Sequence, residues 1–298
     1  MYTNNYALKG TGMIRSIIDI HAPALITLMA ENENRLRRHD EPAPGLFVCE
    51  TVKVIRRALD AGHLAEAMLI REDLARDEEV AELIEYAGED VPVYLGTEEL
   101  LREISGSKLP GGVLSLMRRR PLPSAAELCR GAKRVVWLED VENPTNVGAI
   151  FRSAAAIGMD AVVLTKACAD PLYRRAARVS MGNVFQVPWT FTAMTGPADR
   201  LDPRGRKTLA ALKEQGFVIV ALALEEGALP IDAPELRAAA ERAAGLVIVL
   251  GNESNGISPE TIAACNYTAV IPMMNGVDSL NVAAASAVAF WELRAGRA

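Results

Sequence analysis

Short apolar runs alternate with amphipathic stretches along most of this sequence. Leu46-Phe47-Val48-Cys49 has the length of a strand, and residues 45–50 are read as one. Val54, Ile55, Ala58 and Leu59 then recur at helical spacing. They predict a helix over 52–61, with Gly62 as its stop. Strands follow at 65–70, 91–95 and 111–117; helices fall at 77–87 and from Thr97, an N-cap, into Glu98-Glu99-Leu100-Leu101. Helices that alternate with strands imply an α/β layer structure.

Pro121-Leu122-Pro123-Ser124 interrupts this alternation. Closely spaced prolines favour extended backbone, so a linker is placed here, with domains at 1–122 and 123–298. The second half opens with the strand run Arg134-Val135-Val136-Trp137-Leu138-Glu139-Asp140. Asn143-Pro144-Thr145-Asn146 is a turn and helix-cap signal, 147–157 a helix ended by Gly158, and 161–165 a buried-type strand. Together these make a βαβ unit. A helix at 209–215, strands at 218–224, 246–250 and 269–271, and a last helix over about 279–294 complete the pattern. Near-continuous β-branched runs predict parallel strands covered on both faces.

Composition narrows the class of molecule. The 298 residues are 50% hydrophobic and 23% charged, ordinary for a globular protein and enough for large cores without disulfides. Cys49, Cys129, Cys168 and Cys265 are scattered without a CxxC pair, so neither zinc nor a disulfide framework is expected, and a reducing cytoplasm fits. No apolar run reaches the roughly 18 residues that would span a bilayer, and residues 1–6 lack the features of a secretory signal. His21, His39 and His63 lie far from the glycine-rich segments, which argues against a histidine triad or metal cluster. The formal net charge of −6 argues mildly against nucleic acid. Yet basic residues cluster at 35–38, 118–120, 174–178 and 204–207, and local patches set phosphate contacts.

Several signatures are missing. There is no GxxxxGK[ST], no GxGxxG after the strand at Val135, and no GxSxG. Two strand ends close in sequence, Leu250-Gly251-Asn252-Glu253-Ser254-Asn255-Gly256 and Ile271-Pro272-Met273-Met274-Asn275-Gly276-Val277-Asp278-Ser279-Leu280-Asn281, pass abruptly into small and amide-bearing residues. They suggest one pocket for a nucleoside ligand, built from backbone groups and apolar walls. Upstream, Asn146 and Arg152 lie about six residues apart on one helix, a little under two turns, which is read as broadly related faces. Each piece alone also fits a structural role: Asn143 and Asn146 as caps, Arg152 in a surface ion pair, Gly251 and Gly256 as turn residues, Ser279 as the N-cap of the last helix.

Taken jointly, the three blocks resemble the three motifs of the SpoU (TrmH-type) RNA ribose methyltransferases of the SPOUT class. Asn143-Pro144-x-Asn146-x-Gly148-x-x-x-Arg152 is similar to the first, Leu250-Gly251-x-Glu253-x-x-Gly256 to the second, and Ile271-Pro272-Met273 with Ser279-Leu280-Asn281-Val282 to the third. The resemblance runs over roughly residues 134–294. More loosely, 46–50, 92–94 and 111–114 resemble the small α/β RNA-binding domain that often precedes it, except that Thr51 stands where relatives usually carry glycine.

The resemblance implies an α/β fold with a mainly parallel sheet and a deep trefoil knot, preceded by a smaller α/β RNA-binding domain. It implies S-adenosylmethionine as methyl donor, a ribose 2′-hydroxyl of ribosomal or transfer RNA as acceptor, and a homodimer with the cofactor near the subunit interface. It carries cofactor binding to Leu250, Gly251, Asn252, Gly256, Ile271, Met273, Ser279 and Leu280, and catalytic work to Arg152, Asn146, Glu253, Ser279 and Asn281, with no metal. A guanidinium stays protonated, so Arg152 is expected to orient the hydroxyl and stabilise the developing oxyanion rather than accept the proton. Two other readings compete: a catalytically inactive RNA-binding protein of the same fold, and a dehydrogenase, which would need the phosphate loop that is missing.

Overall fold

A computed structural model describes residues 14–16, 36–37, 45–106, 108–109, 111–192 and 205–296. The tail 1–6 and, of the basic clusters, Arg35, Arg38 and Arg204 lie outside the described residues. The chain divides into two compact units, Met1–Pro121 with Leu172–Phe185, and Leu122–Pro171 with Gln186–Ala298.

The first unit contains β1 (Ile14–Ser16), β2 (Leu46–Glu50), α1 (Val52–Asp60), β3 (Leu64–Arg71), α2 (Glu78–Ala87), β4 (Val93–Gly96), α3 (Glu98–Ser105) and β5 (Val113–Arg118). Its sheet runs β1-β4-β3-β5-β2, with β5 antiparallel to both of its neighbours. Leu46, Val48, Leu69, Leu101, Ile104, Leu114 and Leu116 form one core. Asp77 and Thr97 cap α2 and α3 by accepting from Val80 N and Leu100 N.

A single boundary near residue 122 does not foresee that 172–185 packs into this unit. The cause is Glu50, buried at the end of β2. Its Oε2 accepts from Arg174 Nε at 2.6 Å, and Arg178 Nη1 lies 2.7 Å from Oε1, an ion pair without hydrogen-bond geometry. Arg174 also donates to Ser105 O at 2.9 Å, Arg57 donates to Met181 O at 2.8 Å, and the Phe185 ring stands 5.9 Å from that of Phe47. A buried carboxylate needs such partners, and removing one of them would strand the charge. The basic cluster at 174–178 is therefore partly engaged in packing.

Thr51, between β2 and α1, has φ 75. A β-branched residue is strained there, by roughly 1–3 kcal/mol, whereas glycine is not. Glycine also loses more backbone entropy on folding, roughly 0.5–1 kcal/mol. Thr51→Gly is therefore expected to raise unfolding stability by about 1 kcal/mol in urea titration; a lower midpoint would show that Thr51 makes contacts worth more than its strain.

The second unit has α4 (Ala125–Leu128), β6 (Arg134–Leu138), α5 (Pro144–Ile157), β7 (Ala161–Leu164), β8 (Trp189–Phe191), α6 (Arg206–Glu214), β9 (Phe217–Leu222), β10 (Leu229–Pro230), α7 (Pro234–Arg242), β11 (Gly245–Leu250), α8 (Pro259–Ala264), β12 (Tyr267–Val270) and α9 (Val282–Leu293). Its seven strands lie in the order β10-β12-β9-β11-β6-β7-β8, and every pairing is parallel. β6, β7 and β11 are buried along their full length, as covering on both faces requires. Val135, Trp137, Val163, Ile219, Val247 and Val249 share a core with Leu209 and Leu212 of α6.

Register sets the position of the site. Leu250 pairs with Leu138, Val249 with Ala221, and Ala269 with Leu222, so the carboxyl ends of β6, β11, β9 and β12 finish nearly level. In doubly wound sheets, ligands bind beyond such ends.

Candidate functional site

Glu139 continues β6 into the site. Its N–H donates to Leu250 O at 2.8 Å, extending the pairing with β11 by one residue. Its buried carboxylate accepts from Ser258 N at 2.7 Å and from Thr261 Oγ1 at 2.5 Å. One carboxylate thus holds the far end of the 251–257 loop and the first turn of α8.

Within that loop Asn252 and Gly256 exchange two backbone hydrogen bonds of 3.0 Å. Asn252 Oδ1 accepts from Ser254 N and Asn255 N, while its Nδ2 donates to Asp140 O at 2.7 Å. Its side chain builds the loop. Gly256 turns with φ +66 in open space, which favours glycine for conformation. Gly251 needs glycine for closeness: a Cβ there would lie 2.3 Å from Gly256 C and 2.5 Å from Ile257 N.

The third segment leaves β12 through Ile271-Pro272-Met273. Asn275 (φ 58) and Gly276 (φ 71) bend it back toward α9. Asn281, not Ser279, is the N-cap of α9, accepting from Ala283 N at 2.9 Å. The helix therefore begins later than the pattern predicts, and Ser279 remains in the loop.

One cavity of about 550 Å³ opens between these segments. All eight residues expected at a cofactor — Leu250, Gly251, Asn252, Gly256, Ile271, Met273, Ser279 and Leu280 — line it, as do Glu253 and Asn281. It also includes Leu222, Ala223, Leu224 and Glu225 beyond β9, which motif reading missed. The signal lay in sheet order: a parallel neighbour of β11 must end beside it. Glu225, Glu253 and Asp278 are lining carboxylates, and no basic side chain is among the described residues that line it.

The first block meets the other two through Asn146. Asn143 caps α5 by accepting from Thr145 N at 2.9 Å, Pro144 occupies the first turn, and Gly158 closes the helix in the left-handed conformation. This geometry buries Asn146, which donates through Nδ2 to Glu253 Oε1 at 2.7 Å and accepts at Oδ1 from Asn281 Nδ2 at 3.2 Å. One amide joins a residue from each of the other two blocks.

Arg152 behaves differently. It is exposed and does not line the cavity, while Asn146 is buried. The expectation of related faces is corrected here: six residues at 3.6 per turn leave two side chains about 120° apart.

Burial pushes the thiols of Cys129 to about 11 and of Cys168 and Cys265 to about 12, and raises that of Cys49 as well, so all four are poor nucleophiles at neutral pH. Among the described residues no helix is long and apolar enough to cross a membrane, and no group of three or more His, Cys, Asp or Glu could hold a metal ion.

The sequence profile of the SpoU rRNA Methylase family matches residues 133–291. An uncharacterized tRNA/rRNA methyltransferase of Mycobacterium bovis is 37% identical over 258 residues, covering 86% of this chain and 83% of that protein. A 23S rRNA (guanosine-2′-O-)-methyltransferase of Acinetobacter baylyi is 30% identical over 226 residues, covering 74% of this chain and 84% of that protein. The crystal structure of an AdoMet-bound rRNA methyltransferase from Sinorhizobium meliloti superposes with a TM-score of 0.74 at 23% identity, covering 94% of this chain and 97% of that one, a likeness of fold.

Proposed function

Because this chain belongs to the SpoU rRNA methylase family, we infer that it transfers the methyl group of S-adenosylmethionine to a ribose 2′-hydroxyl of ribosomal or transfer RNA. The observation that carries this reading is the Asn146 bridge, which ties all three blocks together beside the cavity.

The cavity fits the cofactor. Its volume suits a nucleoside-sized ligand. The glycine at 251 leaves backbone where a side chain would otherwise stand. Three lining carboxylates, with no basic side chain among the described lining residues, favour a ligand that carries a sulfonium and an ammonium. When bound, the cofactor supplies an activated methyl group; the protein supplies position and electrostatics.

Backbone groups of Gly251, Ile271 and Leu280 hold the adenosyl part, with Leu250 and Met273 as apolar walls and Leu224 beside them. Asn252 and Gly256 shape the loop. Asn146 positions Glu253 and Asn281, and Ser279 forms part of the floor. Arg152 acts on the acceptor: it orients the hydroxyl and stabilises charge as it develops on oxygen. Its place off the cavity wall suits contact with RNA rather than with the cofactor.

We assign the loops after β11 and β12 to the trefoil knot of this class, and RNA recognition to the first unit. Met274, Val277, Leu280, Val288 and Trp291 are exposed on the third segment and α9. They supply the apolar face of a homodimer, with the cavity near its interface. The setting is the cytoplasm.

Two measurements test the reading. S-adenosylmethionine at about 100 times its Kd is expected to stabilise the protein by about 2.7 kcal/mol, and NAD to leave it unchanged. Incubation with methyl-tritiated cofactor and bulk RNA, followed by nucleoside analysis, is expected to place label in 2′-O-methylnucleosides. Cofactor binding without incorporation would identify an inactive RNA-binding relative instead.

A further inference from the structure

β6 is buried from Arg134 to Leu138, and the residue that follows is an acid, Glu139, itself 2% exposed. Burial alone would ask for an apolar side chain there. A carboxylate at that depth is costly unless hydrogen bonds hold it. Glu139 is not among the residues that line the cofactor cavity, yet its partners bracket the cavity wall. At one end its N–H donates to Leu250 O at 2.8 Å. At the other its Oε1 accepts from Ser258 N at 2.7 Å. Every residue between these two points, Gly251 to Ile257, lines the cavity. The closure also governs shape: a Cβ on Gly251 would lie 2.5 Å from Ile257 N, and Ser258, the next residue, is the one that the carboxylate grips.

The second carboxylate oxygen reaches further. Thr261 N donates to Ser258 Oγ at 3.4 Å, Ser258 Oγ donates to Thr261 Oγ1 at 2.9 Å, and Thr261 Oγ1 donates to Glu139 Oε2 at 2.5 Å. Each hydroxyl has one proton to give, so this chain runs in one direction and must end on an acceptor. It organises the first turn of α8, whose Ile262 also lines the cavity. An ionised carboxylate ends the chain and takes the Ser258 N–H at the same time, because both of its oxygens accept and neither donates. Glutamine has the same shape but a single oxygen. Its amino group would face either the Ser258 N–H or the Thr261 hydroxyl proton, so one of the two contacts must be lost.

We propose that Glu139 is a positioning residue for methyl transfer: it sets cofactor affinity by holding the 250–258 wall and the start of α8 in the shape that the cofactor meets. Without the carboxylate the wall has a second, looser arrangement, and S-adenosylmethionine must restore the first one as it binds. That cost appears in the dissociation constant, which rises as the binding-competent fraction falls. Once the cofactor is seated the shape is recovered, so the chemical step keeps its rate. Glu139 therefore separates from Arg152, whose place is at the acceptor and whose loss is read in the rate.

This inference rests on the methyl-transfer reading, and its test separates the two. Calorimetry with S-adenosylmethionine and methyl transfer to bulk RNA are measured on the full-length protein. Glu139→Gln is expected to raise the cofactor Kd and KM at least about tenfold, the scale of one lost hydrogen bond to a charged group, while kcat at saturating cofactor stays within about twofold. Thr261→Val removes the other end of the contact with Glu139 in place, and should weaken the cofactor in the same way; Thr261→Ser keeps the hydroxyl and should restore it. In the double variant Glu139→Gln/Thr261→Val the two losses should fall short of their product, as expected for residues that share one contact. Val163→Ala, in the core at β7 and off the cavity lining, is the control for stability alone: its Tm falls, and its cofactor Kd stays native. Native cofactor affinity in Thr261→Val, equal loss in Thr261→Ser, or a loss in Val163→Ala that matches Glu139→Gln would overturn the positioning role and leave methyl transfer standing. Failure of the native protein to bind S-adenosylmethionine would overturn both.

Discussion

Replacing Arg152 with alanine is expected to lower methyl transfer about 10²–10³-fold while S-adenosylmethionine binds as before, the usual effect of removing one positioned electrostatic group. The side chain is exposed on α5 and is not among the residues that line the cavity, so neither the core nor the cavity wall depends on it. Substitutions at such positions usually change stability by no more than about 0.5 kcal/mol. The loss should therefore appear in the chemical step. Single-turnover kinetics at saturating RNA and cofactor would show it as a slower rate, and calorimetry would show an unchanged cofactor Kd. Arg152→Lys keeps the charge but loses the planar fork, so its recovery should be partial. Parallel loss of rate and cofactor affinity in Arg152→Ala would end the assignment to the acceptor and place the guanidinium at the cofactor instead.

The contrast between Arg152 and Asn146 also shows what a linear motif can convey. Their spacing marks both as part of one block, and the block meets the other two, but it does not say which residue faces inward. A helix turns about 100° per residue, so six residues carry a side chain well around the axis. The structure gives Asn146 the buried, bridging place and leaves Arg152 outside. Similar reasoning applies to the cavity. The ends of β11 and β12 announce themselves through glycine, proline and amide residues, because their backbone must turn sharply or approach other backbone. The end of β9 does not: Ala223-Leu224-Glu225 carries no local signature, and only its parallel register beside β11 brings it to the site.

Long-range packing was least legible. The 172–185 segment belongs to the first unit because a buried carboxylate at Glu50 gathers Arg174 and Arg178 more than a hundred positions away. In the sequence those arginines read as a basic cluster for RNA, because nothing local distinguishes an arginine facing a carboxylate from one facing phosphate. Short elements such as β8, with Trp189-Thr190-Phe191, and the six-residue α8 escaped notice because they are too brief to show a period. The parallel strands of the second unit were legible for the opposite reason: burial on both faces leaves continuous apolar runs.

Gly251→Ala should be as damaging to cofactor binding as Arg152→Ala is to transfer. The added methyl would meet backbone atoms of Gly256 and Ile257 at 2.3–2.5 Å, and no side-chain rotation can relieve a clash between main chains. The loop must move away from β11. It would take with it the 3.0 Å pairing of Asn252 with Gly256 and the cavity wall between Leu250 and Ile257. Overpacking of this kind costs roughly 1–3 kcal/mol of stability, and we expect cofactor affinity to fall more than about 100-fold, or over 2.7 kcal/mol. Gly256→Ala provides the control. The same methyl there meets nothing within 4 Å, and its cost is the left-handed backbone alone, roughly 1–2 kcal/mol. Because both substitutions strain the same loop and destabilise it similarly, a simple loss of folding would reduce binding equally in the two. Calorimetry with S-adenosylmethionine, at a temperature where circular dichroism shows both variants folded, separates the cases. Affinity should collapse for Gly251→Ala and stay within about tenfold for Gly256→Ala. Near-native affinity in Gly251→Ala would mean that the close approach of the two backbones does not shape the cofactor's seat.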